Sequence, residues 1–245
     1  MSGRMNGGAS GDMPVEPTAI ISVEAAIAAL RAEADPDRAA QEAAYHKTTR
    51  EVLGIRVPRL TELATEWRQG AAVEDRITLA RGLWDADIHE TRVAAAKLLV
   101  QARIRPDQGV WDLIAGWVPE FDGWAIADQV SDAGARRLIA DPSRLDQVEL
   151  WTTSPLMWTR RAALVMTLPW ARMNNLNPAD VAARERILAW AAGYVPDRDS
   201  FIQKAIGWWL RELSKHDPDR VRGFLAEHGE GVKAIARNEA VKHLR

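Results

Sequence analysis

The chain has no cysteine, so disulfide bonds, cysteine nucleophiles and cysteine-ligated metal sites are excluded. It also lacks any run that approaches about 18 consecutive apolar residues, and its N-terminus lacks the basic-then-apolar pattern of a secretory signal. Neither sign of charge dominates: the formal net charge is −2, which creates no overall positive field that would attract nucleic acid. We therefore expect a soluble protein located in the cytoplasm.

Several patterns of catalytic and cofactor-binding sites are missing as well. The five histidines do not have metal-ligand spacing, and no glycine-rich phosphate loop or Gly-x-Ser-x-Gly elbow occurs. No lysine stands in an obviously apolar stretch that would indicate a Schiff-base nucleophile. The abundant aromatic residue is tryptophan, with 11 copies against three phenylalanines and two tyrosines, so the tryptophan positions are where we look for function.

The organisation of the chain is predicted from its helix-breaking residues and from the periodicity of its apolar residues. Residues 1–17 are rich in glycine, serine and proline and predict a disordered leader before a single domain over 18–245. Beyond residue 18, apolar residues recur at helical spacing, and no segment alternates with the period of a strand, so the fold class is predicted to be all-α. The predicted helices are 22–34, 37–52, 58–69, 73–85, 89–103, 106–118, 121–140, 143–151, 155–171, 178–193, 199–216, 217–228 and 230–243.

The predicted helices follow one another in pairs spaced by roughly 30–45 residues, which is typical of HEAT-like repeats. Stacked helical hairpins of this kind build a curved solenoid. A solenoid offers a long concave groove, and such a groove suits an extended partner such as a duplex or a peptide.

The helix predicted over 199–216 has two different faces. At 100° per residue the large apolar residues fall on one side, which we expect to face the core. Trp208 lies on the opposite side, in a stripe with Lys204, Arg211, Glu212 and Lys215. This tryptophan is either packed under the next helix pair or exposed to a ligand beside cations that attract phosphate. The expected core residues are Ile202, Ile206, Trp209, Leu210 and Leu213.

The helix predicted over 121–140 repeats this division. Ile126, Val130 and Ala133 define its inner face, whereas Trp124 and Asp128 stand one turn apart on a different face, together with Ser131. One interpretation is an indole N–H bonded to a carboxylate inside a repeat interface. The other is an aromatic and an acid presented to a ligand.

The helix predicted over 155–171 places a cation where an apolar residue is expected. Arg161 falls within the stripe formed by Trp158, Leu164, Val165 and Leu168. Because a buried, unpaired guanidinium is destabilising by several kcal/mol, Arg161 needs either a carboxylate from a neighbouring helix or an opening onto a phosphate. The sequence leaves both possibilities open.

These three helices together resemble the AlkD-type DNA alkylation repair proteins, which are HEAT-like-repeat DNA glycosylases. The similar segments are collinear with that family and span about residues 20–245. The strongest is FIQKAIGWWLRE at 201–212, followed by W-x-R-R-A-A-L at 158–164 and W-x-x-x-D at 124–128. Further similar segments lie at 45–60, 83–99 and 238–244.

The resemblance implies base excision repair: hydrolysis of the N-glycosidic bond of positively charged purines such as N3-methyladenine and N7-methylguanine in double-stranded DNA. It implies catalytic roles for Trp124, Asp128 and Trp208, with the damaged nucleotide kept in the duplex rather than extruded into a pocket. A monofunctional, monomeric enzyme without metal or cofactor is expected. The cations expected to bind DNA phosphates are Arg161, Arg211, Lys204 and Lys47.

Two positions depart from the family pattern, and two other functions remain open. Ala125 stands where family members often carry a second acid, and Gly123 stands where an aromatic residue or asparagine can occur; both departures could alter substrate range. One alternative is a non-catalytic relative that binds damaged or branched DNA. The other is a protein-interaction scaffold, which would not need cationic residues that converge on one face.

Overall fold

The computed structural model describes residues 20–244, so the predicted leader over 1–17 lies outside the described residues. Within this range the chain is all-α, as predicted, and its only extended pairing is an isolated bridge between Glu51 and Ile88. The α-helices of the described range are α1 (Val23–Ala32), α2 (Pro36–His46), α3 (Val57–Arg68), α4 (Val73–Asp85), α5 (His89–Leu98), α6 (Gln108–Trp117), α7 (Trp124–Ala140), α8 (Leu145–Trp151), α9 (Met157–Val165), α10 (Leu168–Arg172), α11 (Pro178–Gly193), α12 (Ser200–Ser214), α13 (Pro218–His228) and α14 (Ala234–Ala240).

Several helices begin where the sequence carries a capping side chain. Asp35, Asn177 and Asp217 each accept a hydrogen bond from a backbone N–H in the first turn of the helix that follows. Each of these caps is followed directly by a proline, whose missing N–H would be unpaired at a helix start in any case. The local sequence therefore determines these boundaries.

The single helix predicted over 155–171 is wrong: the structure divides it into α9 and α10. Pro169 has no N–H to donate to the carbonyl of Val165, so the helical ladder cannot continue through this point. The hydroxyl of Thr167 donates instead to the carbonyls of Ala163 and Leu164, at 2.9 Å each. Residues on both sides of the break, Val165, Leu168 and Pro169, line one wall of the groove described below.

The helices stack as a repeat. Helices α3, α5, α7, α9, α12 and α14 contact one another in chain order and form a central row. Helices α4, α6, α8 and α13 each pack beside a member of this row, and each pair forms a helical hairpin. This arrangement confirms the predicted solenoid of helical hairpins, and the central row carries the residues singled out from the sequence.

Polar links between neighbouring repeats recur at a regular sequence separation. The indole N–H of Trp84 donates to Glu120 and that of Trp111 to Gln147, each across 36 residues. The ion pair between Arg160 and Asp197 spans 37 residues. These separations match the spacing of helical pairs predicted from the sequence.

In the described part of the chain, no helix combines the length and apolarity needed to cross a bilayer.

Candidate active site

Helix α7 presents two of the predicted site residues. It begins at Trp124, directly after Gly123 in extended conformation, and Asp128 follows one turn later. Ile126 and Val130 are buried on the other face, as predicted. The indole of Trp124 is 36% exposed and makes no hydrogen bond with any described residue, so it is not tied to Asp128.

The carboxylate of Asp128 is held by Arg161 from the neighbouring helix α9. One guanidinium nitrogen, Nη1, lies 2.5 Å from Oδ1, and the other, Nη2, lies 3.4 Å from Oδ2. The side chain of Arg161 is only 7% exposed, whereas that of Asp128 is 22% exposed. The guanidinium therefore has the carboxylate partner that its position requires, and it fixes the orientation of an acid that remains open to solvent. The phosphate-binding role of Arg161 stays a prediction.

Asp128 and Trp208 line the same groove, which has a volume of about 820 Å³. Trp208 is half-buried, while Trp209 is completely buried with the other predicted core residues of α12. Glu212, which was expected in the stripe with Trp208, is buried instead. The structure thus brings together the central carboxylate and one of the two expected indoles, although the two residues are 80 positions apart in the sequence.

Trp124 lines a second, smaller pocket of about 140 Å³. The edge of Tyr45 faces its ring at 6.1 Å between centroids, and the ring of His46 lies at 5.1 Å. His46 in turn stacks on His89 at 5.1 Å. Burial, with smaller contributions from His46 and Arg50, lowers the pKa of His89 to about 4, so its ring is neutral at pH 7.

The predicted cations have different surroundings. Lys47 is exposed in the small pocket beside Trp124, where it ends α2 in a left-handed conformation with φ 52°. Arg211 is bonded to Glu239 at 2.6 Å, and the amino group of Lys204 lies 5.0 Å from the ring centroid of Phe201. Arg211 and Lys204 line neither pocket. Their contacts with DNA stay predictions.

Four arginines in the large groove were not singled out by the sequence. Arg103 and Arg105 come from the loop after α5, Arg136 from α7 and Arg172 from α10. Arg172 is paired with Glu212 at 3.2 Å. The predicted helix over 89–103 ends at Leu98 instead, so this loop could not be recognised from periodicity.

The fold and the groove define an all-α helical-repeat protein with an ion-paired carboxylate, an indole and several arginines on one open surface. The family model described as DNA alkylation repair enzyme matches residues 26–244, and the chain belongs to this family. No protein with a curated functional description matches the sequence significantly.

Solved structures with the same fold exist. One is a predicted DNA alkylation repair enzyme from Enterococcus faecalis, which is 22% identical, with a TM-score of 0.73 over 86% of this chain and 97% of that chain. Another is AlkD2 from Streptococcus mutans, which is 20% identical, with a TM-score of 0.59 over 77% of this chain and 90% of that chain. At these identities the likeness establishes the fold.

Proposed function

We propose that the protein is a monofunctional DNA glycosylase that hydrolyses the N-glycosidic bond of positively charged alkylated purines, such as N3-methyladenine and N7-methylguanine, in duplex DNA. The observation that carries this proposal is the oriented carboxylate of Asp128, which faces an open groove beside Trp208. Membership in the DNA alkylation repair enzyme family supports DNA as the partner. We expect the enzyme to act as a monomer in the cytoplasm.

The chemistry needs few groups, because a cationic alkylpurine is already a good leaving group. The base departs with the electron pair of the C–N bond and becomes neutral, so no general acid has to protonate it. Positive charge then develops on the deoxyribose as an oxocarbenium ion. Water adds its oxygen to C1′, and the carboxylate of Asp128 takes up the proton that the water releases.

Asp128 would lower the barrier by electrostatic stabilisation of the sugar cation. Its carboxylate is held in advance by Arg161, so little reorganisation is needed when charge develops. The faces of Trp208 and Trp124 would add cation–π attraction to the same cation. In this scheme the reacting sugar is brought to Asp128 while its base stays within the duplex, and the two indoles would contact the sugar and the backbone.

The test is single-turnover release of N7-methylguanine from a defined duplex. We expect Asp128→Asn to slow release by tens-fold or more, while the affinity for lesion DNA changes little, because the amide keeps the shape but loses the charge. Asp132→Asn is the matched control, since Asp132 is exposed in the same groove one turn further along α7. Equal rates for the wild type and Asp128→Asn would remove this carboxylate from the mechanism.

The second candidate is a non-catalytic protein that binds damaged or branched DNA. The arginines of the groove favour this function over a protein-interaction scaffold, because they converge on one surface. Measurable binding to DNA without release of N7-methylguanine or N3-methyladenine by the wild type would favour the binding protein over the glycosylase.

A further inference from the structure

Most arginines in the described residues have a partner. Only five make neither a side-chain hydrogen bond nor an ion pair with the described chain: Arg56, Arg81, Arg103, Arg105 and Arg136. The last three line the groove that contains Asp128, and all three are exposed. We call Arg103, Arg105 and Arg136 the arginine cluster.

The loop that carries two of these arginines is anchored by a buried arginine of α7. Arg137, which is fully buried, donates to the carbonyls of Gln101 at 2.5 Å and Ala102 at 3.0 Å. It also bonds the carboxylate of Asp107 at 3.1 Å, and Arg144 bonds the same carboxylate at 2.8 Å. The loop over 99–107 is therefore anchored at both of its ends.

This anchoring determines where the free arginines point. Ile104 is buried, so Arg103 and Arg105 on either side of it extend into the groove. Arg136 precedes the anchoring Arg137 on α7 and joins them in the groove. The anchored backbone thus fixes the points from which these three side chains extend into the groove.

The charge of the groove is opposite to that of the whole chain. Its lining contains four arginines and two acids, Asp128 and Asp132, although the chain carries a net charge of −2. Asp128 is already paired with Arg161, and Arg172 with Glu212. Asp132 forms no ion pair with a described residue, so the arginine cluster has no carboxylate partner there. Several guanidinium groups without carboxylate partners on one surface fit a ligand with several anionic groups.

We propose that the arginine cluster binds backbone phosphates of one DNA strand beside the reacting sugar. This inference rests on the proposed function, because it takes duplex DNA as the occupant of the groove. Asp128 and Arg136 are eight residues apart on α7, which corresponds to about 12 Å along the helix axis. The contacted phosphates therefore lie within a few nucleotides of the sugar, since successive phosphates of one strand rise by about 3.4 Å.

The experiment measures the affinity for an undamaged fluorescent duplex by anisotropy over a range of salt concentrations. We expect the Arg103→Gln, Arg105→Gln, Arg136→Gln triple variant to bind more weakly and to have a shallower slope of log K against log salt. The slope decreases by about 0.9 for each phosphate contact that is lost. The melting temperature should stay unchanged, because none of the three side chains makes a bond within the described chain.

The matched control is the Arg56→Gln, Arg81→Gln double variant, whose arginines are equally free but line neither pocket. We expect it to keep the wild-type slope. An unchanged slope in the triple variant would overturn the arginine cluster as a phosphate site. So would a control whose slope decreases by the same amount for each arginine removed.

The outcomes for the cluster and for the proposed function are distinguishable, since binding to undamaged DNA needs no excision. Release of N7-methylguanine together with an unchanged slope in the triple variant overturns the cluster alone. A shallower slope in the triple variant without any release by the wild type supports the cluster and overturns the glycosylase. A wild type that does not bind DNA overturns both.

Discussion

The ion pair between Asp128 and Arg161 connects two residues that the sequence analysis had treated separately. Burial explains why Arg161 needs a carboxylate, and the partial exposure of Asp128 leaves that carboxylate accessible from the groove. In the proposed mechanism Arg161 is a positioning residue, because it acts through the acid that it holds. A direct phosphate contact would make its contribution independent of Asp128.

A double-mutant cycle separates these two roles. We expect Arg161→Gln to slow single-turnover release of N7-methylguanine by about tenfold or more, with partial rescue in Arg161→Lys. If Arg161 acts through the acid, adding Arg161→Gln to Asp128→Asn causes little further loss, since coupled residues are not additive. If the decreases in release rate of the two single variants multiply in the double variant, Arg161 acts independently of Asp128, as expected for a contact with a DNA phosphate.

His89 couples stability to pH beside Trp124. Folding lowers its pKa from 6.5 to about 4, so below pH 6.5 the unfolded chain takes up a proton that the folded chain does not. The free energy of unfolding therefore falls as the pH decreases from about 6.5 towards 4, by roughly 2 kcal/mol between pH 7 and pH 5. Urea unfolding at these two pH values measures this loss.

The histidine responsible can be identified with two variants. His89→Gln should remove most of the loss between pH 7 and pH 5, whereas His243→Gln, at an exposed position near the C-terminus, should retain it. The same pH dependence in His89→Gln and the wild type would contradict this assignment.

Among the helices, α12 separates stability from function most directly. Trp209 is buried in the core, and Trp208 faces the groove, although the two residues are adjacent. This division follows from the helical repeat, because consecutive side chains point about 100° apart. Adjacent tryptophans can therefore have different tasks.

We expect Trp209→Ala to lower the free energy of unfolding by about 3–5 kcal/mol, since it leaves a large cavity in the core. Trp208→Ala should lower DNA affinity and the excision rate with a much smaller effect on stability. Urea unfolding and single-turnover release of both variants check this contrast. Loss of activity without loss of stability in Trp209→Ala would show that the two faces are assigned the wrong way round.

In the whole molecule, stability comes from contacts between neighbouring repeats, as in other solenoids. The C-terminal end depends on α14, which packs closely on α12. A Cβ atom at Gly207 of α12 would lie 2.8 Å from Cα and 3.0 Å from the carbonyl oxygen of Ala236 in α14. These are backbone atoms, so the two helices would have to separate.

Gly207→Ala should therefore destabilise the protein by about 1–3 kcal/mol, in spite of the better helix propensity of alanine. The matched control is Gly223→Ala in α13, where the added Cβ meets only the side chain of Arg220 at 3.8 Å. This control should be neutral or stabilising by up to about 1 kcal/mol. Thermal and urea unfolding of both variants provide the comparison. Equal free energies of unfolding for Gly207→Ala and Gly223→Ala would indicate that the packing of α14 on α12 does not limit the stability of the protein.

The sequence by itself determined the features that depend on local periodicity and on motif order. The all-α class, the buried Trp209 and the position of Trp208 on the opposite side of its helix follow from the 3.6-residue repeat of a helix. The collinear tryptophan, aspartate and arginine motifs were sufficient to indicate the family. These features need only neighbouring residues or the order of segments, which a single sequence contains.

Only the tertiary structure decided which distant side chains meet. Asp128 and Arg161 are 33 residues apart, and their pairing depends on how α9 stacks on α7. The arginine cluster depends on the early end of α5 and on the anchoring of the following loop by Arg137. Periodicity contains no information on such contacts, because it describes the faces of one helix and not the distance or rotation between two.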